Sequence, residues 1–361
     1  MTERAAALKG ESLFGVEHCR SRIALACCIY YIRNGDKMAS KTIRRMISIG
    51  LLLIMVIIFS ISSDVFLNFG NIANLLKDSA YLGLIAIGMA FVIIGGGVDL
   101  SAGGMACLVG ILCVRMSTMG LNGFLIVLAG VILGMLCGFI NALFVTRVKL
   151  TEFVATLALG FVYSGLTLIF AFRDDRGTIT SVAIPKWSSL RAFAGNVGGI
   201  FYITIVWIVV AVIAYIVLTR TTFGLHTYSI GSHAKSAQMS GVNNDRIKML
   251  GYIICGACVG LAVVLQASLL GSSPLNIGSG YEFQAIAACV VGGVVLGGGK
   301  GDPISALVGA LFFKTLMNGL YKFGLATSWE YILQGGIIVV ATVFDAVFNR
   351  ATSKRLLARA Q

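Results

Sequence analysis

The chain has 361 residues, 58% of them hydrophobic and only 12% charged, where soluble domains carry about 25% charged residues. With a mean hydropathy of +0.92 it reads as a polytopic membrane protein, which excludes a water-soluble enzyme of one or two domains. The net charge of +13 does not point to nucleic acid as a partner, because the basic residues stand at the ends of apolar runs, where charge sets membrane topology.

Residues 1–37 are polar, basic and irregular. Their one apolar run, Ile23–Ile32, is too short to cross roughly 30 Å of hydrocarbon, and no small-residue cleavage site follows it. Met38 is followed by Lys41, Arg44, Arg45 and the first long apolar run. Met38 therefore reads as the native start, and 1–37 as an N-terminal extension outside the native protein.

Ten spans are expected from there: 46–63, 72–94, 103–119, 122–145, 153–172, 199–219, 248–268, 283–299, 304–322 and 330–348. The fold class is all-α, a membrane helix bundle of about ten transmembrane helices. The third and eighth spans are short and glycine-rich, the mark of re-entrant or broken helices. With ten spans, Lys41, Arg44, Arg45, Arg147, Lys149, Arg220, Lys235, Arg246, Lys248, Lys300 and Arg350 share one side, which makes that side and both termini cytoplasmic. Trp187, Trp207 and Trp329 lie near span ends, as interface anchors do.

The chain holds 44 glycines. Gly130, Gly134 and Gly138 line one face of the fourth span, and Gly256 and Gly260 one face of the seventh; both read as close helix packing. Cys255 and Cys258 form a CxxC without a second pair or a histidine at zinc spacing, so they read as two small residues on a helix face rather than a metal site. No catalytic constellation stands out. The nearest approach to a phosphate loop, Gly297–Gly301, lacks the first glycine and the Ser/Thr after Lys300. The chain therefore binds no nucleotide cofactor of its own, and any ATP-driven work needs another subunit.

The run Gly95–Gly104 carries the most chemistry. Asp99 sits between two apolar runs, and a carboxylate at the bilayer centre costs roughly 2.5–3.5 kcal/mol. Gly96, Gly97, Asp99 and Ser101 either line a pathway as a gating turn or cap the third span at the interface. Asp99 is the one charge expected deep in a span, which counts against ion-coupled transport. A related pattern returns at Leu296–Gly299, Asp302, Ser305 and Ala306, a sign of an internal repeat. Glu152 and Glu282 open their spans as helix-dipole partners, with Glu282 facing outside. Asn141, Gln266, Asn318 and Gln334 could bond a polyol solute or simply another helix.

The longest polar interval is Leu218–Lys248. Within it Ser232 can cap a short helix and Gly241 can end it in the left-handed conformation. Ala234, Ala237 and Gly241 give that helix one smooth face. So short a helix is marginal in water; it either leans on something or is an ordinary solvated loop.

Four stretches together resemble the permease subunit of bacterial ABC importers for monosaccharides, the ribose/xylose/galactose type. They are Asn71–Leu76 leading through Gly83–Met89 to Gly96–Ser101; Phe153–Ala158; Thr219-Arg220, Phe223-Gly224 and Ile230-Gly231 before Ser240–Val242; and Glu282–Ala288 with Gly292-Gly293, Gly298–Gly301 and Asn318–Leu320. The resemblance covers about residues 40–350, so 38–361 is expected to be one transmembrane permease domain. His233, Ser236 and Pro303 depart from the family's habit.

The resemblance implies a subunit of the bacterial cytoplasmic (inner) membrane that works with a second permease subunit. Two ATPase subunits, which bind ATP and Mg, and an extracytoplasmic sugar-binding protein complete the assembly. It makes Gly231, His233, Ala234, Ala237, Met239, Ser240, Gly241 and Val242 the expected contact with the ATPase. It makes Glu282, Gln284 and Asn318 candidates for the solute pathway beside the Asp99 turn. A nucleoside, autoinducer-2 or a branched-chain amino acid is the alternative solute, and a stand-alone secondary transporter the alternative class.

Overall fold

Apolar runs interrupted by glycine turns give a bundle of helices joined by short connections. The computed structural model describes residues 46–322, except 174–176, 178 and 182, and beyond them positions 324, 329, 332, 334–336, 339 and 343. The expected extension 1–37 and most of the expected span 330–348 lie outside the described residues. The described helices from Ile47 onward belong to one unit.

The helices are α1 (Met46–Ser62), α2 (Phe69–Ile94), α3 (Ala102–Thr118), α4 (Gly123–Thr146), α5 (Glu152–Phe170), α6 (Tyr202–Arg220), α7 (Thr222–Met239), α8 (Asn244–Leu270), α9 (Tyr281–Gly292) and α10 (Pro303–Lys322). Six of the described helices (α2, α4, α5, α6, α8 and α10) are long and apolar enough to cross a membrane, while α1, α3 and α9 are shorter apolar helices. The only described strands are two short hairpins, Phe172–Arg173 with Ile179–Thr180 and Asn196–Val197 with Ile200–Phe201. The chain is a multi-pass helical membrane protein. Both broken-helix candidates come out short. The eighth expected span, 283–299, is corrected: α9 stops at Gly292, because Gly293 takes φ 104° and closes the end by donating its N–H to the carbonyls of Cys289 and Val290. Twelve residues rise about 18 Å, well under the thickness of the hydrocarbon.

Helix α2 is central. Of its apolar window 83% is buried inside the protein, against 22% for α5, so α2 is walled by other helices while α5 turns most of its surface outward. The two glycine faces read separately from sequence meet each other. Gly134 of α4 lies against the Gly256 carbonyl of α8, Gly130 beside Gly260, and Gly138 against the Tyr252 carbonyl. Small residues let these backbones touch where lipid offers no hydrophobic drive. Cys255 and Cys258 are buried free thiols on the same helix. Trp207 is not the interface anchor expected of it: it is 1% exposed and fills the space over Gly83.

At the end away from α7, the connection 171–201 is pinned to α8. Arg191 donates twice to the Ile184 carbonyl, and the Ile184 N–H donates to Gly271 at 2.7 Å. Gly271 itself ends α8 with φ 68°.

Candidate functional site: a glycine junction beneath a kinked helix

The polar interval folds as a single helix with a break. Thr221 caps α7, accepting from the Gly224 N–H, and the helix runs on until His233, whose φ of −157° and ψ of 92° are extended. The short helix expected to begin at Ser232 thus begins one residue later. Ser232 is still in the preceding helix, and His233 supplies the non-helical N-terminal step. The far end follows the expectation. Gly241 has φ 84°, its N–H donates to Gln238, and the Val242 N–H donates to Ala237, both close to 3 Å. This is the paired C-terminal closure that a left-handed glycine permits. Ala237 is buried, while Ala234, Gly241 and Met239 are exposed, Met239 at 83%, so of the expected smooth face Ala237 alone turns into the protein. The Asn244 side chain donates to the Ala234 carbonyl at 2.8 Å and ties the segment to α8.

The foot of this helix stands on two glycine turns that lie far apart in sequence. A Cβ at Gly231 would collide with the Ile94 carbonyl at the end of α2 and with the Gly299 amide beyond α9. The Gly299 N–H donates to that same Ile94 carbonyl at 2.8 Å. Gly298 packs on Gly96 and Gly231, and Gly299 on Ser232. Gly96, Gly298 and Gly299 have φ of 84°, 78° and 69°, a region open to glycine at little cost. Tyr228, one turn back, donates its hydroxyl to the Gly301 carbonyl at 2.7 Å. Burial pushes that phenol above its ordinary pKa, which keeps it a donor. Three segments therefore share one contact with no side chain between them: the end of α2, the kink of α7 and the turn after α9.

Beyond Gly97 the chain climbs back toward the middle of the bundle. Asp99 is fully buried. It accepts from the Ser101 N–H at 2.9 Å and the Ser101 hydroxyl at 2.6 Å. Asn141 of α4 donates to the Ser101 hydroxyl at 2.6 Å and reaches both Asp99 oxygens at 3.3–3.4 Å. Tyr163 of α5 donates to Asn141 at 2.9 Å. The carboxylate thus fastens the start of α3 to α4 and α5. The later turn repeats the device: Asp302, also fully buried, accepts from the Ser305 N–H in the first turn of α10 at 2.8 Å.

The remaining expected pathway residues lie farther along α9 and α10. Glu282 is half-buried against Gly103 in the first turn of α3. Asn318 and Asn71 exchange amide hydrogen bonds at 3.1–3.2 Å. Gln284 accepts at 3.1 Å from Lys314, which also lies over the Tyr81 ring at 5.0 Å. Lys314 corrects the reading that Asp99 is the one charge deep in a span: it is 8% exposed in α10. Of the expected pathway residues, Gly96 alone meets Gly231; Asp99 and Ser101 bond to each other and to Asn141, Gly97 and Glu282 lie against Glu152 and Gly103, and Gln284 and Asn318 pair separately with Lys314 and Asn71. The elements that sequence reasoning missed are Gly298-Gly299 as the second seat of α7, Tyr228, and Lys314. Lys314 had a signal, a lone lysine inside an apolar run.

A family described as "Branched-chain amino acid transport system / permease component" matches residues 71–342. The chain is 38% identical over 294 residues to the ribose import permease protein RbsC of Bacillus subtilis, covering 81% of this chain and 90% of the relative. It is 32% identical over 302 residues to the D-allose transport system permease protein AlsC of Escherichia coli, covering 83% and 91%. It is 31% identical over 310 residues to the galactose/methyl galactoside import permease protein MglC of Haemophilus influenzae, covering 82% and 92%. No solved structure matches the chain.

Proposed function

We propose, from the premise that this chain belongs to the branched-chain amino acid transport system / permease component family, that it is the membrane-spanning subunit of an ATP-driven importer for a monosaccharide, ribose or a close relative. The sugar comes from the relatives: ribose, allose and galactose permeases all align over more than four-fifths of the chain. The subunit hydrolyses nothing itself. Partner ATPase subunits bind ATP and Mg and dock on the basic end, where Ala234–Val242 protrudes. A binding protein delivers the sugar at the opposite end, and a second permease subunit completes the pathway. The chain sits in the cytoplasmic membrane with the basic end and both termini inside.

One observation carries the mechanism: Gly231 is seated between the Ile94 carbonyl and the Gly299 amide. A push on the kinked tip of α7 cannot be absorbed by side-chain rotation there, because backbone meets backbone. It reaches the turns that begin α3 and α10 together. Asp99, bonded to Ser101 just before α3, and Asp302, bonded to Ser305 in the first turn of α10, tie each turn to the helix that follows it. Reversing a 1:99 equilibrium to 99:1 between inward and outward states takes about 5.5 kcal/mol of differential affinity, which the ATPases supply and the junction transmits.

The test is sugar uptake into proteoliposomes holding the chain, its ATPase and its binding protein. ATP-dependent ribose accumulation that needs all three components is the expected result. Accumulation of leucine instead would follow the family's description rather than the relatives' names. Lys314 gives the stand-alone transporter a specific observation, so a vesicle with the chain alone and an imposed proton gradient is included. Uptake there would overturn the ATP-driven reading.

A further inference from the structure

The basic end holds a second construction that the glycine junction does not explain. The connection between α4 and α5 passes through Lys149, the only described non-glycine residue with positive φ, at 62°. From that left-handed position its ammonium reaches both oxygens of Asp245, in the first turn of α8, at 2.9 Å. Three residues on, Glu152 opens α5 and pairs with Lys248. The carboxylate suits the N-terminus of α5, and Lys248, in the second turn of α8, supplies its counter-charge.

The Glu152 carboxylate also touches the turn that begins the broken helix. A Cβ on Gly97 would stand 2.7 Å from Glu152 Oε2. One helical turn later Thr156 accepts the Leu100 N–H at 3.0 Å, so the first turns of α5 grip the 97–100 segment from both ends. Tyr252 of α8 donates to the Val98 carbonyl at 3.2 Å between these grips. On its other side the pair borders an open cleft of about 740 Å³, whose walls include Lys149, Glu152 and Lys248 together with Ala234, Gln238 and Gly241 from the tip of α7. The pair is a partition. The motor-facing cleft lies on one side and the buried Asp99 turn on the other.

We propose that Glu152 and Lys248 are a positioning pair that latches the Gly97–Leu100 segment, and that movement of the α7 tip within the shared cleft releases it. With the pair made, the turn is clamped between α5 and α8. With it broken, the carboxylate loses its counter-charge beside Gly97, and the Thr156 and Tyr252 hydrogen bonds alone hold the segment to α5 and α8. The importance of the cleft rests on the reading of this end as the docking face of an ATPase; the clamping of the turn does not.

The test uses the full chain in lipid nanodiscs, followed by hydrogen exchange, and then the reconstituted importer. Glu152→Gln and Lys248→Met should each speed amide exchange in residues 97–101 about tenfold, with α2, α4 and α8 unchanged. The exchanged pair, Glu152→Lys with Lys248→Glu, should recover at least half of that protection, because the ions still meet. In the importer the single variants should hydrolyse ATP without the binding protein about fivefold faster than the parent and import less sugar per ATP. Unchanged exchange at 97–101, or a rise spread evenly over the bundle, would overturn the latch, and that arm needs no partner subunit. Altered local exchange with unchanged sugar per ATP would overturn only the link to the motor. Absence of ATP-driven uptake in the parent would strike the functional reading and leave the clamp standing.

Discussion

Glycine does two different jobs in this protein, and the α4–α8 seam and the α7 junction separate them. In the seam, Gly130, Gly134, Gly256 and Gly260 lie inside regular helices, none with positive φ, and serve only to let two backbones touch. At the junction Gly96, Gly298 and Gly299 turn the chain through left-handed conformations, and Gly231 is the helical residue they enclose. A seam of helical glycines holds two rods together. A junction of turning glycines joins a surface helix to the turns before α3 and α10 at one point. On the proposed function the seam supports assembly alone while the junction also transmits, so substitutions that still assemble should differ in transport.

The largest effect is expected at Gly231. Gly231→Val drives a branched side chain into backbone atoms on two sides, which cannot give way as a side-chain end would. A loss of about 3 kcal/mol or more is expected, seen as a lower yield of assembled protein in membranes and absent uptake. In the seam, Gly134→Ala meets the Gly256 carbonyl and should cost about 2–3 kcal/mol. Thermal unfolding in detergent checks this, and uptake per assembled molecule should stay near the parent value.

Asp99→Ala leaves the Ser101 N–H and the Asn141 amide without their carboxylate in a fully buried site. About 2 kcal/mol of stability should go with it. Asp99→Asn, which keeps an acceptor oxygen, should lose less in the same unfolding measurement.

The smallest change in stability is expected at Gly241, where nothing lies within 4 Å of the missing side chain and only the left-handed backbone resists. Gly241→Val should cost about 1–2 kcal/mol, confined to the tip of α7. Membrane assembly should be normal, and uptake should fall through loss of coupling. Unchanged uptake would remove Gly241 from the motor contact.

Much of this was legible in the sequence, and the misses have physical causes. The spans follow from apolar length, because a membrane helix must satisfy its own backbone. The stop at Gly241 was legible because a helix end has local chemistry. The true extent of α9 was not: Val294 and Val295 prolong the apolar run past the helix, and they are buried by protein in the connection beyond it. Lys314 was hidden by its apolar neighbours, which keep the run reading as a span. The kink at His233 has no strong breaker residue to announce it; Ser232 looks the better cap. The junction itself has no local signature, since Gly96, Gly231 and Gly298 come from three distant parts of the chain. The seam was half legible. Each glycine face showed its period, but only the fold pairs them.

The central claim is that motor action passes through Gly231 to the turns before α3 and α10. It is tested most directly by sugar imported per ATP hydrolysed, measured on equal amounts of assembled importer carrying the parent chain, Gly134→Ala or Gly231→Ala. The Gly134 variant should match the parent, and the Gly231 variant should hydrolyse ATP while importing at least about tenfold less sugar per ATP. A Gly231 variant that assembles and imports with the parent's stoichiometry would contradict the account.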